Sequence, residues 1–210
     1  MTKEITVKTP NIISKYDDVL FDTLSTQSKW TPRLQLCGAS TNFVKKSIVG
    51  MGNYAIVKGK DDVDDLGNSV DCIPLAWRPK VFDSNDVVSS YNPESAKFIE
   101  IQEKAGQKDS GCMYGPEFLL YLPDTDIFVT FFCSNATSRR EASNIRSLIG
   151  QPATIKSKFI EKDKYSWHGP LITKCSTPFN IPDDDRVSSE VNTFINPQES
   201  EIIEADDRAR

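Results

Sequence analysis

The residues whose types and spacing suggest chemistry in this chain are basic and aromatic, and most of them fall between residues 118 and 174. Residues 153–161 (ATIKSKFIE) alternate in polarity, as a strand with two distinct faces does. Ala153, Ile155, Ser157 and Phe159 then face one way, and Lys156 and Lys158 form a stripe on the other. Two strand steps separate these lysines by about 6.6 Å, near the phosphate repeat of an extended single nucleic-acid strand. In the returning segment YSWHGPLITK, Tyr165 and Trp167 share one face, and Ser166, His168 and Lys174 share the other. Arg139 and Arg140 stand at the start of a helix, where positive charge does not complement the dipole. They are placed to meet phosphate or to pair with Glu141. Trp77, beside Arg78 at a strand end, and Tyr114, in a glycine-rich loop, complete the set. Lysine and arginine tracking a backbone while aromatic faces stack on bases is the chemistry of single-strand binding. Core packing explains each aromatic equally well, and Trp77 with Arg78 also reads as a half-buried ring beside a snorkelling neighbour.

Catalytic signatures are missing. The one histidine, His168, precedes Gly-Pro, and there is no GxSxG, HExxH or CxxC. Gly50 and Gly52 mark a turn, but no GK[ST] follows and GxGxxG is incomplete. The acidic stretch 58–68, with its DDVDD run, lacks the glycine and glutamate of a calcium loop and reads as a solvated hairpin loop. A carboxylate-only nuclease site would use Glu117, Asp124 and Asp126 near the PDTD turn. The expectation is a non-enzyme without a cofactor. The five cysteines (Cys37, Cys72, Cys112, Cys133 and Cys175) are odd in number, and several sit in apolar runs. They read as buried thiols of a reducing, cytoplasmic compartment. No apolar run is long enough to cross a bilayer, and the first ten residues lack the apolar region of a signal peptide.

These groups need a scaffold. Residues 118–122 and 127–133 flank Pro123 and two aspartates, and so form an antiparallel pair with nearly continuous apolar character. Ser138 to Ile149 is the clearest helix, with Ser138 and Glu141 as a capping box, an apolar stripe of Ala142, Ile145, Leu148 and Ile149, and Gly150 at its end. Residues 153–161 and 165–174 follow as a second hairpin. Upstream, residues 70–78 read as a strand in which Pro74 requires an edge or a bulge. Ile12, Ile13, Tyr16, Val19, Leu20 and Leu24 recur at roughly helical spacing in an N-terminal arm or helix over 1–49. Strand, strand, helix, strand, strand after at least one further strand is the element order of an OB-fold. The expected class is therefore mainly β with minor α. It would be an OB-like five-stranded antiparallel barrel with one connecting helix over 50–178, carrying an insertion at 83–115 that contains a helix begun by Asn92-Pro93.

Charge divides the chain. Net charge is −5, but nine acids against three arginines give −6 from Asp183 onward, leaving the body near +1. Residues 179–210 thus read as an acidic flexible tail that occupies a basic groove, recruits a basic partner or aids solubility. A compact strand-rich core with such a tail resembles the single-stranded DNA-binding proteins of tailed phages. The resemblance implies a protein that coats and protects single strands in replication or recombination. It also implies a tail that engages replication proteins and competes with DNA for the groove. The ending DDRAR departs from the aromatic terminus common in that family. Two other readings stand beside it, a viral structural or assembly protein and the carboxylate nuclease. No membrane partner is expected, and a viral protein would act in the host cytoplasm.

Overall fold

Proline lacks an amide hydrogen, so a strand containing one must leave a ladder position open. Pro74 does so within the longest strand of the fold. The structure is a computed structural model that describes residues 31–59, 62–86, 88–175, 177, 179 and 183–196. The helical spacing read between Ile12 and Leu24 lies outside these residues. The strands are β1 (Arg33–Leu36), β2 (Tyr54–Val57), β3 (Val63–Gly67), β4 (Ser69–Asp83), β5 (Val88–Ser90), β6 (Cys112–Leu122), β7 (Ile127–Phe132), β8 (Ala153–Lys162) and β9 (Tyr165–Lys174). The helices are α1 (Asn42–Lys45), α2 (Ala96–Lys104), α3 (Ala136–Ser147) and α4 (Asp184–Ile195).

The strands form one sheet in the order β3-β2-β1-β7-β6-β4-β8-β9, with β5 paired to the end of β4. Ser69 to Cys72 of β4 pair with β8, and Ile73 to Asp83 pair with β6. The register shifts between Pro74 and Ala76, where the missing donor falls. The Pro74 carbonyl accepts from Gly150 N–H at 2.8 Å, which anchors the connection from α3 into β8. All pairings are antiparallel except β1 with β7, which meet in parallel at a single bridge, Arg33 to Thr130.

This open, mixed sheet overturns the OB-like barrel. The order β6-β7-α3-β8-β9 does follow the expected strand, strand, helix, strand, strand along the chain. Chain order alone does not set which strands pair, and here eight strands run between two separate ends, β3 and β9, with β5 beside the end of β4. Edge strand β3 carries exposed Asp64 and Asp65, a common guard against further pairing. The segment 58–68 therefore contains this strand rather than being loop throughout. At the other end, Glu141 of α3 accepts from Ile172 N–H of β9 at 3.3 Å. The resemblance to phage single-stranded DNA-binding proteins rested on an OB-like core with an acidic tail; without that core it falls, as do the replication and recombination roles it implied.

Strand β6 is apolar at successive positions because both sheet faces are covered. Phe118, Leu120 and Leu122 join Tyr54, Ile56, Val129, Phe131, Ile155 and Ile145 of α3 in the larger core. Leu119 and Tyr121 face the opposite way, against Ile73, Leu75, Phe128 and helix α4. Helix α3 begins one turn earlier than its sequence suggests. Asn135 is the cap and accepts from Ser138 N–H at 2.9 Å, while Ser138 Oγ accepts from Asn135 N–H. Glu141 is thereby released to reach β9. Helix α2, capped by Ser95, packs Phe98 and Ile101 on Val81 and Cys112 at the far end of the sheet. All five cysteines are free thiols, four of them buried. Among the described residues no helix is long and apolar enough to cross a membrane.

Within the acidic C-terminal stretch, α4 buries Val187, Phe194 and Ile195 on the sheet, each contributing about 1.5–3 kcal/mol of apolar burial. Asp183 caps it by accepting from Arg186 N–H, and Arg186 pairs with Asp126 at 2.6 Å. Replacing Phe194 with Ala is expected to cost about 3–5 kcal/mol in urea unfolding. A cost below about 1 kcal/mol would show that α4 does not hold to the sheet.

Candidate functional site

Strands β8 and β9 outrun the sheet that carries them. β8 pairs with β4 only over Ala153 to Lys156, and Ser157 N–H adds one bond to the Asn68 carbonyl at 2.7 Å. From Lys158 outward the only strand partner of β8 among the described residues is β9, so the hairpin forms a two-stranded arm. Its turn places Asp163 at φ 54°, a left-handed conformation that aspartate adopts more readily than most residues. The arm is seated on two glycines. A side chain at Gly52 would meet the His168 ring at 2.7 Å, and one at Gly169 would meet Thr137 of α3 at 2.3 Å. Trp167 Nε1 donates to Thr137 Oγ1 at 3.0 Å, which braces the arm against the start of α3.

Opposed residues of an antiparallel pair share a face. The register sets Lys156 opposite Leu171, Lys158 opposite Gly169, Ile160 opposite Trp167 and Lys162 opposite Tyr165. One face therefore presents three lysines with Ile160, Tyr165, Trp167 and Leu171. On the other face Phe159 stacks at a tilt on His168, with ring centroids 5.2 Å apart. Tyr165 is 75% exposed and Phe159 55%. Between Lys156 and Tyr165 four lysines outnumber Glu161 and Asp163, for a net +2 in a chain of net −5. None of these lysines forms an ion pair among the described residues.

Of the eight residues singled out from sequence, Lys156, Lys158, Tyr165 and Trp167 meet on this face. Arg140 is exposed, one helical turn beyond Thr137. The other three lie elsewhere. Arg139 donates to the carbonyls of Tyr114 and Ser134 at 2.9 and 2.8 Å. Tyr114 packs edge-on against Phe98, and Trp77 lies under the Arg146 guanidinium at 4.6 Å. The aromatics thus form no common stacking platform, and with the barrel gone the single-stranded DNA-binding reading is overturned. Sequence reasoning passed over Lys162, Ile160 and Phe159, although the first two continue the lysine stripe at the same period.

The nuclease reading is overturned too. Among the described residues no group of three or more His, Cys, Asp or Glu side chains could hold a metal. Asp126 is tied to Arg186 and to the Tyr121 hydroxyl, and Glu117 faces cations inside the fold. Arg78 Nη2 and Lys80 Nζ reach the two oxygens of Glu117 at 2.6 and 2.9 Å, and all three side chains are buried. The Arg78 guanidinium lies between the rings of Tyr91 and Phe194, 3.5 and 4.1 Å from their centroids, and donates to the Phe194 carbonyl. Burial opposes charge on both Glu117 and Lys80, but the pairing outweighs it. Glu117 is held below the ordinary carboxylate value and Lys80 above the ordinary ammonium value. These three charges are not adjacent in sequence; the β4–β6 register, which sets Arg78 opposite Glu117, assembles them.

Lys80 and Glu117 also line a cleft of about 410 Å³. It opens where β1 and β7 part beyond their single bridge, and its wall includes Arg33 to Leu36 on one strand and Thr130 to Phe132 on the other. Compared with models of known protein families, with curated proteins and with solved structures, the chain matches none.

Glu117→Gln leaves two buried cations without their counter-charge and is expected to cost about 3–5 kcal/mol in chemical unfolding. The native pairing is at full strength between the ordinary values of its partners, 4.5 for Glu117 and 10.5 for Lys80. The lowered carboxyl loses its contribution as pH falls through its folded value, and the raised ammonium loses its own as pH rises through its folded value. Unfolding midpoints measured from pH 3 to 7 on wild type and variant test the acid limb. An equal acid loss in both proteins would remove Glu117 as its source.

Proposed function

We propose that this protein acts by binding rather than catalysis, and that the β8–β9 arm docks on a partner protein whose surface is acidic around an apolar patch. One observation carries the reading: the hairpin register puts Lys156, Lys158 and Lys162 on the same face as Ile160, Tyr165 and Trp167, and from Lys158 outward no other strand of the described residues pairs with the hairpin. A two-stranded hairpin is marginal in water by itself and gains when one face is covered. Tyrosine and tryptophan dominate interface hot spots, and the unpaired lysines supply steering and partner choice. The arm's net charge of +2 favours a partner surface of the opposite sign, and the body before Asp183, near +1, does not offer one.

A library of displayed random peptides selected on the full chain tests this. Enrichment of peptides combining Asp or Glu with aliphatic or aromatic residues is expected. Tyr165→Ala should weaken a selected peptide by about tenfold, the scale of one hot spot, and Lys158→Glu with Lys162→Glu should abolish selection. Enrichment of neutral or basic peptides, or selection that survives the charge reversal, would sink the proposal. So would binding of a DNA duplex in preference to every acidic peptide.

A further inference from the structure

The cleft at the β1–β7 fork carries a charge balance that the arm does not explain. Its wall includes part of the Arg78–Glu117–Lys80 cluster, in which two buried cations face one buried anion. An ammonium has three donors. Lys80 Nζ spends one on Glu117 Oε1 at 2.9 Å, its one hydrogen-bond partner among the described residues. Beyond that it lies 5.1 Å from the Phe132 ring centroid and 5.6 Å from that of Tyr91. Excess buried charge with spare donors is costly until an opposite charge arrives. The start of α3 does not supply the site, because Asn135 and Ser138 satisfy each other's amides. The remaining wall is divided: Arg33, Gln35, Ser40 and Thr130 are polar, while Phe82, Met113 and Phe132 are apolar.

We infer that this cleft binds a small monocarboxylic acid with an apolar body, its carboxylate meeting Lys80 and its body lying against Phe82, Met113 and Phe132. One carboxylate answers the single positive excess of the Arg78–Glu117–Lys80 cluster, and Arg33 adds a further cation to the wall. The volume falls within the usual range of small-molecule pockets, roughly 300–1,000 Å³. The apolar wall favours an aromatic or aliphatic acid over inorganic phosphate.

The chain has three methionines, and they provide the readout. Met113 lines the cleft, and Met51 is 56% exposed outside it. In full-length protein labelled at the methionine methyl carbons, benzoate is expected to shift the Met113 resonance saturably and leave Met51 in place. Benzamide, which matches its shape without the charge, and inorganic phosphate should leave both unmoved. Lys80→Gln should weaken the benzoate response at least tenfold, about the loss of one charge-assisted hydrogen bond. Tyr165→Ala should leave it unchanged, which separates this site from the arm. A Met113 resonance that ignores benzoate, or that moves equally with benzamide, would overturn the inference. So would an undiminished response in Lys80→Gln. If Lys80→Gln fails to fold, the wild-type comparison of benzoate with benzamide decides the matter alone.

Discussion

The absent amide hydrogen of Pro74 is the constraint on which the arrangement of the sheet depends. A long strand with every donor intact could keep one register along its whole length. β4 changes register against β6 at Pro74, just beyond the residues that pair with β8. Such a bulge bends the strand that carries it. The Pro74 carbonyl still accepts, and it holds Gly150 at the exit of α3. That contact places the exit of α3 beside the start of β8. The sheet stops supporting the hairpin at the other end of this pairing, where β4 begins at Ser69 opposite Lys156.

Two basic features arise from this frame, and they differ physically. The arm's lysines lie in water, where each is screened and contributes to encounter rather than stability. The Arg78–Glu117–Lys80 cluster is enclosed by the sheet, by Tyr91 and by the last turn of α4. Its pairing offsets desolvation without adding much net stability, which comes instead from the two apolar layers on either face of β6. The cluster contributes order: it ties the Phe194 carbonyl to the sheet and so couples the C-terminal helix to the cleft wall. An excess cation there would be a fault in a purely structural core. Beside an open cleft it is the expected environment of an anion.

The two hairpins were legible in the sequence because their causes are local. PDTD and the Asp163 turn stop one strand and start the next, and the alternation in ATIKSKFIE and YSWHG sets the faces of β8 and β9. That is why Lys156, Lys158, Tyr165 and Trp167 could be singled out together. The spacing of Val187, Val191, Phe194 and Ile195 was equally available as the apolar stripe of a helix, but the acidic composition around it suggested a tail. The shift of the α3 cap from Ser138 to Asn135 is a smaller case, in which two adjacent capping patterns compete and packing decides.

Strand order is another matter. The parallel contact of β1 with β7, the open ends at β3 and β9, and the switch of partners along β4 join residues far apart in the chain. Their energies depend on burial shared by several elements, and no local pattern encodes that. The same holds for the charge cluster and the cleft. Arg78 and Lys80 look like ordinary strand residues until β6 brings Glu117 between them, and the cleft draws its wall from β1, β4 and the β6–β7 hairpin, which are far apart in the chain. The sequence by itself determined the turns, the strand periodicity and the face each side chain takes, because backbone sterics and period-2 patterning act over a few residues. The tertiary structure alone decided which strands met, which charges were buried and where the sheet remained open, because those outcomes depend on contacts between distant segments.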